Sequence, residues 1–245
     1  MKTHAFIVAL LFFLPSVLLA QKPKMTEDWS KQPPIITAGK RSKPPSDATI
    51  LYRTRKDLNN WQSGRNGEPA KWKATLCGMT VNGTGGIVSK QAFGDIQLHV
   101  EWRSPRKVNP EAEGQGRGNS GIYIQGKYEV QILDSYENET YYNGQAGSIY
   151  KQSAPLVNTS RKPGKWQSYD IVFHAPRFHA DGSLKSPATI TVFHNGVLIQ
   201  DHYVLKGETV FGGFPKYRPH PEKLPMMLQD HGNPVKYRNI WVREL

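Results

Sequence analysis

The chain has 245 residues, with 32 Lys and Arg against 20 Asp and Glu, a net charge of +12. Its single cysteine, Cys77, excludes an intrachain disulfide framework and any thiolate metal centre, so stability must rest on core burial. The basic residues are scattered (Lys40, Arg53, Arg106 and Lys162 lie in Pro- or Gly-rich connections), a pattern that reads as a solvated surface rather than a nucleic-acid interface.

Residues 1–20 read as an export signal: Lys2 gives a positive start, Ala5 to Leu14 an apolar run, and Ala20-Gln21 a cleavage site. The run falls short of the roughly 20 apolar residues of a membrane span, and no later stretch is apolar enough to be one. An exported chain in the periplasm or medium, with no stable membrane insertion, is therefore expected. Removing Lys2 with the signal lowers the charge from +12 to +11. Residues 21–47, rich in Lys, Pro, Ser and Thr, read as an extended arm, because Pro33-Pro34 and Pro44-Pro45 discourage regular structure.

From residue 48 to 245 the pattern is that of one domain of short strands punctuated by Gly, Pro and Asn. Phe93 to Arg103 alternates strictly, sending Ile96, Leu98, Val100 and Trp102 to a core and His99 and Glu101 to the opposite face. Ser120 to Ile124 and Lys127 to Leu133 form a predicted hairpin across Gln125-Gly126, with Glu129 and Gln131 on its polar face and Asp134 at its end. Trp166 to His174 alternates again. Asn195-Gly196, between the apolar runs Ala188 to Phe193 and Val197 to Leu205, is the strongest hairpin signal in the chain. Leu224 to Leu228 and Arg238 to Val242 close the sequence as strands around the turn Gln229-Asp230-His231-Gly232.

No window carries a long apolar stripe at helical spacing, so the predicted class is all-β: two packed antiparallel sheets of jelly-roll type. Asn82 to Gly86 and Gly114 to Gly118 share only glycine content with phosphate loops, since no helix pattern follows either; they read as turns or flexible rims. The six Trp and eleven Tyr suit sugar stacking as well as base stacking.

Three constellations can carry chemistry. Glu129 and Asp134 could act as paired carboxylates, one with a raised proton affinity. Asp230 and His231 join a carboxylate to an imidazole, the natural proton carrier near neutral pH. His99 and Glu101 share a face and could contribute to a divalent metal site.

The motifs Phe93 to Leu98, Asn119-Ser120-Gly121-Ile122-Tyr123, Tyr128 to Asp134, Gly147-Ser148-Ile149-Tyr150, Trp166-Gln167, His194-Asn195-Gly196, Leu228 to Gly232 and Arg238-Asn239-Ile240 stand in an order that resembles the 3-keto-glycoside hydrolase and lyase family. The sequence differs from that pattern at Tyr52 to Leu58 and in a longer, more charged loop from Ser104 to Gly118. The resemblance implies a concanavalin-like, lectin-like jelly roll with a concave sugar-binding face. It also implies cleavage of 3-keto-disaccharides or 3-keto-glucosides by removal of the C2 hydrogen, β-elimination at C1 and hydration of the glucal. On that reading His231 or Glu129 is the base. Asp134, Gln131 and Asn119 orient hydroxyls, with Glu101, Gln229 and Asp230 as further binding residues. Lys151, Tyr150 or a bound divalent cation steadies the enolate. No redox cofactor is required, because a separate upstream glycoside 3-oxidoreductase would supply the ketone. A non-catalytic carbohydrate-binding domain and a conventional glycoside hydrolase using Glu129 and Asp134 are the alternatives.

Overall fold

The structure is a computed structural model that describes residues 26–39, 43–107 and 109–245. The export segment 1–20 and the first residues of the arm, to 25, lie outside the described residues. The chain divides into two units, Met1–Ile35 and Ile36–Leu245. In the first, residues 26–35 hold neither helix nor strand, and the Trp29 indole donates to the Glu27 carboxylate at 3.1 Å.

The second unit contains fifteen strands among the described residues: β1 (Thr49–Tyr52), β2 (Trp61–Ser63), β3 (Lys73–Thr75), β4 (Gly78–Thr80), β5 (Ile87–Phe93), β6 (Ile96–Arg103), β7 (Ser120–Ile124), β8 (Tyr128–Ile132), β9 (Gln167–His174), β10 (Arg177–Phe178), β11 (Leu184–Ser186), β12 (Thr189–His194), β13 (Val197–Val204), β14 (Leu224–Leu228) and β15 (Lys236–Glu244). One sheet runs β13-β12-β9-β6-β15-β4-β3 with β1 on β15; the other runs β2-β5-β14-β7-β8; β10 and β11 form a separate ribbon. Every strand pair is antiparallel. Among the described residues the only helices are short 3-10 turns, at Arg55–Asn60, Gly114–Gly116 and Tyr142–Gly144. This is the expected jelly-roll sandwich.

The stretch read as one strand from Phe93 to Arg103 is two. Gly94-Asp95 breaks it and carries the chain from the five-stranded sheet (β5) to the eight-stranded one (β6). Asp95 holds that corner, accepting from the Ala175 backbone at 2.8 Å and from Arg177 at 2.9 Å. The alternation itself is correct, and Ile96, Leu98, Val100 and Trp102 are wholly buried. The opposite face is not open to water, however: His99 is stacked on Trp241 with ring centres 5.3 Å apart, and Glu101 is clasped by Arg238 and Asn239 at 2.6 and 2.9 Å.

Both predicted hairpins turn through two residues of positive φ, Gln125 and Gly126 (56° and 64°) and Asn195 and Gly196 (53° and 82°), which matches the right-handed twist of the flanking strands. The tryptophans serve mainly as core. Trp61, Trp72 and Trp102 are fully buried between the sheets, each worth roughly 2–3 kcal/mol of apolar burial. Their count is therefore no measure of sugar stacking. His194 stacks on Trp102, and burial pushes its pKa down to about 3, as for a neutral packing histidine.

Candidate active site

The β7–β8 hairpin sets the site by register. Tyr123 lies opposite Glu129 and Gly121 opposite Gln131. Period 2 therefore sends these four away from the core, while Ile122, Ile124, Val130 and Ile132 fill it. Because β8 ends the five-stranded sheet, its outer edge needs partners. Residues 147–150 supply them: Gln131 N–H donates to Ser148 O (3.0 Å), Gly147 N–H to Gln131 O (2.9 Å) and Tyr150 N–H to Glu129 O (3.2 Å). Farther along the edge, Glu129 N–H donates to Thr209 Oγ1 at 3.0 Å.

These two flanking segments turn the polar face of the hairpin into a cleft of about 320 Å³ with Glu129 on its wall. Glu129 is only 3% exposed, not the solvent-facing residue that strand alternation suggests. Its carboxylate occupies the room left by Gly121, where an added Cβ would sit 2.3 Å from Oε1. Burial raises its pKa to about 7; a hydrogen bond from the Tyr123 hydroxyl opposes the rise, and no cation contributes. The carboxyl group can therefore take up or release a proton near neutral pH. Tyr123 is driven strongly upward, first by its own burial and then by the charge of Glu129, and so stays a hydrogen-bond donor.

One end of the cleft is lined by amides. Gln131 Nε2 donates to Gln115 Oε1 at 3.0 Å, and Asn119 Nδ2 donates to Gln115 O at 2.8 Å. Gln115 is itself fixed by donating to Thr140 Oγ1 and Gly144 O at 3.0 and 2.9 Å. Gln229 enters from β14, its backbone N–H bound to Gly121 O at 2.9 Å. Its Nε2 lies 3.4 Å from the Tyr123 hydroxyl, and its buried Oε1 has no partner. His231 stands exposed at the rim. Tyr150 and Tyr141 share a hydroxyl–hydroxyl bond of 2.7 Å, and Phe211 lines the cleft with them.

Thus Asn119, Glu129, Gln131, Tyr150, Gln229 and His231 converge, and four other predicted site residues do not line this cleft. Asp134 is 2% exposed and held by Arg117 Nη2 at 2.8 Å; it borders a different, smaller cavity beside Gly118 and Asn233. It is not paired with Glu129. Asp230 locks the turn, accepting from Gly85 N–H and Gly232 N–H, both at 2.9 Å. Glu101 belongs to the other sheet, with its bonds spent on Arg238 and Asn239. Lys151 donates to the Phe211 carbonyl and lies 4.2 Å over the Phe211 ring, outside the cleft lining. Among the described residues no group of three His, Cys, Asp or Glu side chains gathers to hold a metal ion.

Gln115, Tyr123, Tyr141, Thr209 and Phe211 are lining residues that the sequence reading missed. Tyr123 was accessible, because a two-residue turn at Gln125-Gly126 sets it opposite Glu129. Gln115 was hidden in a stretch read as a flexible glycine rim. Thr209 lies 80 residues from Glu129 in sequence and carries no local signal.

A two-sheet jelly roll with an amide-lined cleft around one protonatable carboxylate has the design of a carbohydrate-active domain. Residues 55–243 match the 3-keto-alpha-glucoside-1,2-lyase-like domain, and the chain belongs to that family. It is also similar to a crystal structure of a candidate glycosyl hydrolase from Parabacteroides distasonis ATCC 8503, with 45% identity, coverage of 95% of this chain and 100% of that one, and a TM-score of 0.87. A second candidate glycosyl hydrolase from the same organism shares the fold at 17% identity, with a TM-score of 0.58 over 81% of this chain and 94% of that one. No curated protein sequence matches the chain.

Proposed function

We propose that the protein cleaves glycosides already oxidised to a ketone at C3 of the sugar, with Glu129 as the base that removes the C2 hydrogen. The observation that carries this reading is a buried carboxylate with a pKa near 7 and, among the described residues, no second carboxylate on the cleft wall. A conventional glycosidase needs two carboxyl groups facing one bond, about 5–10 Å apart. Asp134, the nearest candidate in sequence, is neutralised by Arg117 outside the cleft.

The ketone acidifies the C2 hydrogen. Glu129 takes that proton and the C–H electron pair becomes an enolate. Collapse of the enolate restores the C3 carbonyl, forms the C1–C2 double bond and expels the glycosidic oxygen, which receives a proton from His231 or from the newly protonated Glu129. Water then adds across C1–C2 to give the free 3-keto sugar. The Tyr123 hydroxyl steadies Glu129, and the amides of Asn119, Gln131 and Gln229 are the donors available to the C3 oxygen and the ring hydroxyls. A separate oxidoreductase supplies the ketone, and the segment 1–20 directs the chain out of the cytoplasm.

Incubation of the purified protein with a 3-keto-glucoside and with its unoxidised parent tests the proposal. Cleavage of the first alone is expected, with a loss in Glu129→Gln of about 100-fold or more. Comparable cleavage of both substrates would refute it.

A further inference from the structure

The cleft has two chemically different ends along β8. At the Gln131 end stand the amides of Gln115, Asn119 and Gln131. At the opposite end the strand runs toward Lys127, whose carbonyl accepts the Thr209 N–H at 2.8 Å, and Thr209 brings Phe211 to the cleft. Glu129 stands between Gln131 and Lys127 on the strand, its backbone bonded to Tyr150 on the Gln131 side and to Thr209 on the Lys127 side.

The wall of residues 141–151 leads from the amides to Phe211 and offers ring faces and few unspent polar groups. The hydroxyls of Tyr141 and Tyr150 engage one another at 2.7 Å. The Lys151 ammonium donates to the Phe211 carbonyl and sits over three rings, 4.2 Å from the centre of Phe211, 5.7 Å from Tyr150 and 5.8 Å from Tyr141. Lys151 thereby ties the 141–151 wall to the Phe211 loop. Phe211 is nonetheless 81% exposed, an apolar ring held at the mouth of a cleft with no core to fill. A hydroxylated second hexose would lose water-bound hydroxyls here and find few replacements. A flat apolar ring would lose little and gain stacking.

Resting on the 3-keto-glycoside reading above, we infer that the Phe211 end receives the leaving group, and that the preferred substrates carry an aromatic aglycone rather than a second sugar. The polyhydroxylated keto sugar occupies the amide end, which places the bond to be broken beside Glu129.

The test uses benzyl and methyl 3-keto-glucosides, whose leaving alcohols have similar acidity, together with a 3-keto-disaccharide of the same anomeric configuration. Wild-type protein should favour benzyl over methyl by about tenfold in kcat/KM, and Phe211→Ala should erase most of that ratio through KM. Phe211 is exposed, so its truncation spares the core. A benzyl-to-methyl ratio near one in the wild type, an unchanged ratio in Phe211→Ala, or a disaccharide preferred over benzyl would each overturn the inference while leaving the keto-glycoside reading standing. Cleavage of none of the three by the wild type would overturn that reading, and the inference with it.

Discussion

Replacing Glu129 with Gln should make the protein more stable above neutral pH, because the wild type holds an uncompensated carboxylate in its interior. In the folded protein burial lifts this group from its ordinary 4.5 to about 7, so the folded state binds the proton more tightly than the unfolded chain. Below pH 4.5 both states are protonated and the full stability is present. Between 4.5 and 7 the unfolded chain releases its proton first and stability falls; above 7 the whole difference has been lost. Carried from 4.5 to about 7, that difference costs on the order of 3 kcal/mol. Gln fills nearly the same volume and does not titrate. Urea unfolding of both proteins from pH 4.5 to 8 should therefore give a stability difference that moves in favour of Glu129→Gln by about 3 kcal/mol across that range, at similar m-values. Subtracting the two curves cancels the titration of other groups. A flat difference would mean that the carboxylate is solvated or paired, and the argument for a base poised near neutrality would fail. The same group predicts a kcat/KM that rises through pH 7 as Glu129 ionises.

Gly121→Ala should leave the protein folded and cut turnover by roughly 100-fold, since its Cβ displaces the carboxylate it would otherwise meet at 2.3 Å; near wild-type kcat would show that the placement of Glu129 is not critical. Asp134→Asn should cost about 3 kcal/mol in chemical denaturation by leaving the largely buried Arg117 guanidinium with backbone carbonyls but no counter-charge, while the pH profile of the remaining activity stays that of the wild type. A displaced pH profile with unchanged stability would return Asp134 to the reaction. His99 should support stability at low pH: burial lowers its pKa, but the hydrogen bonds and charges of Asp170 and Glu101 outweigh burial and raise it from 6.5 to about 9. That contribution is complete below pH 6.5 and disappears as pH rises through 9, so Asp170→Asn should flatten the stability curve over this window; an unchanged slope would contradict it.

Much of the fold was legible because its signals are local. Asn195-Gly196 and Gln125-Gly126 dictate turns, and a turn of known length sets the register of Glu129 against Tyr123 without any long-range information. Period 2 sorted Ile96 to Trp102 correctly, yet it could not reveal that the polar face of β6 is covered, because Trp241 and Arg238 arrive from β15, more than 130 residues away. The site was legible in the same partial way. Glu129, Gln131 and His231 were found from the hairpin and the turn after β14, and Asn119 and Gln229 through the family resemblance. The placement of Asp134 depended on Arg117 folding back across a loop to neutralise it, which neither residue announces. Phe211 reaches the cleft through tertiary packing alone, on a loop with no strand pattern of its own. Sequence order also made Glu129 and Asp134 look like a pair, and only geometry separates them.

If bond cleavage begins with removal of the C2 proton, the fate of that hydrogen tests it most directly. A 3-keto-glucoside should be turned over in deuterated water and the 3-keto sugar product analysed at C2 early in the reaction, against an enzyme-free control for spontaneous exchange. Elimination followed by hydration predicts deuterium from solvent at C2 of the product, a slowed reaction when the substrate carries deuterium at C2, and loss of product formation in Glu129→Gln. Product that retains protium at C2, with no slowing when the substrate is deuterated at C2, would contradict it, and would mean that the bond at C1 breaks without Glu129 touching C2.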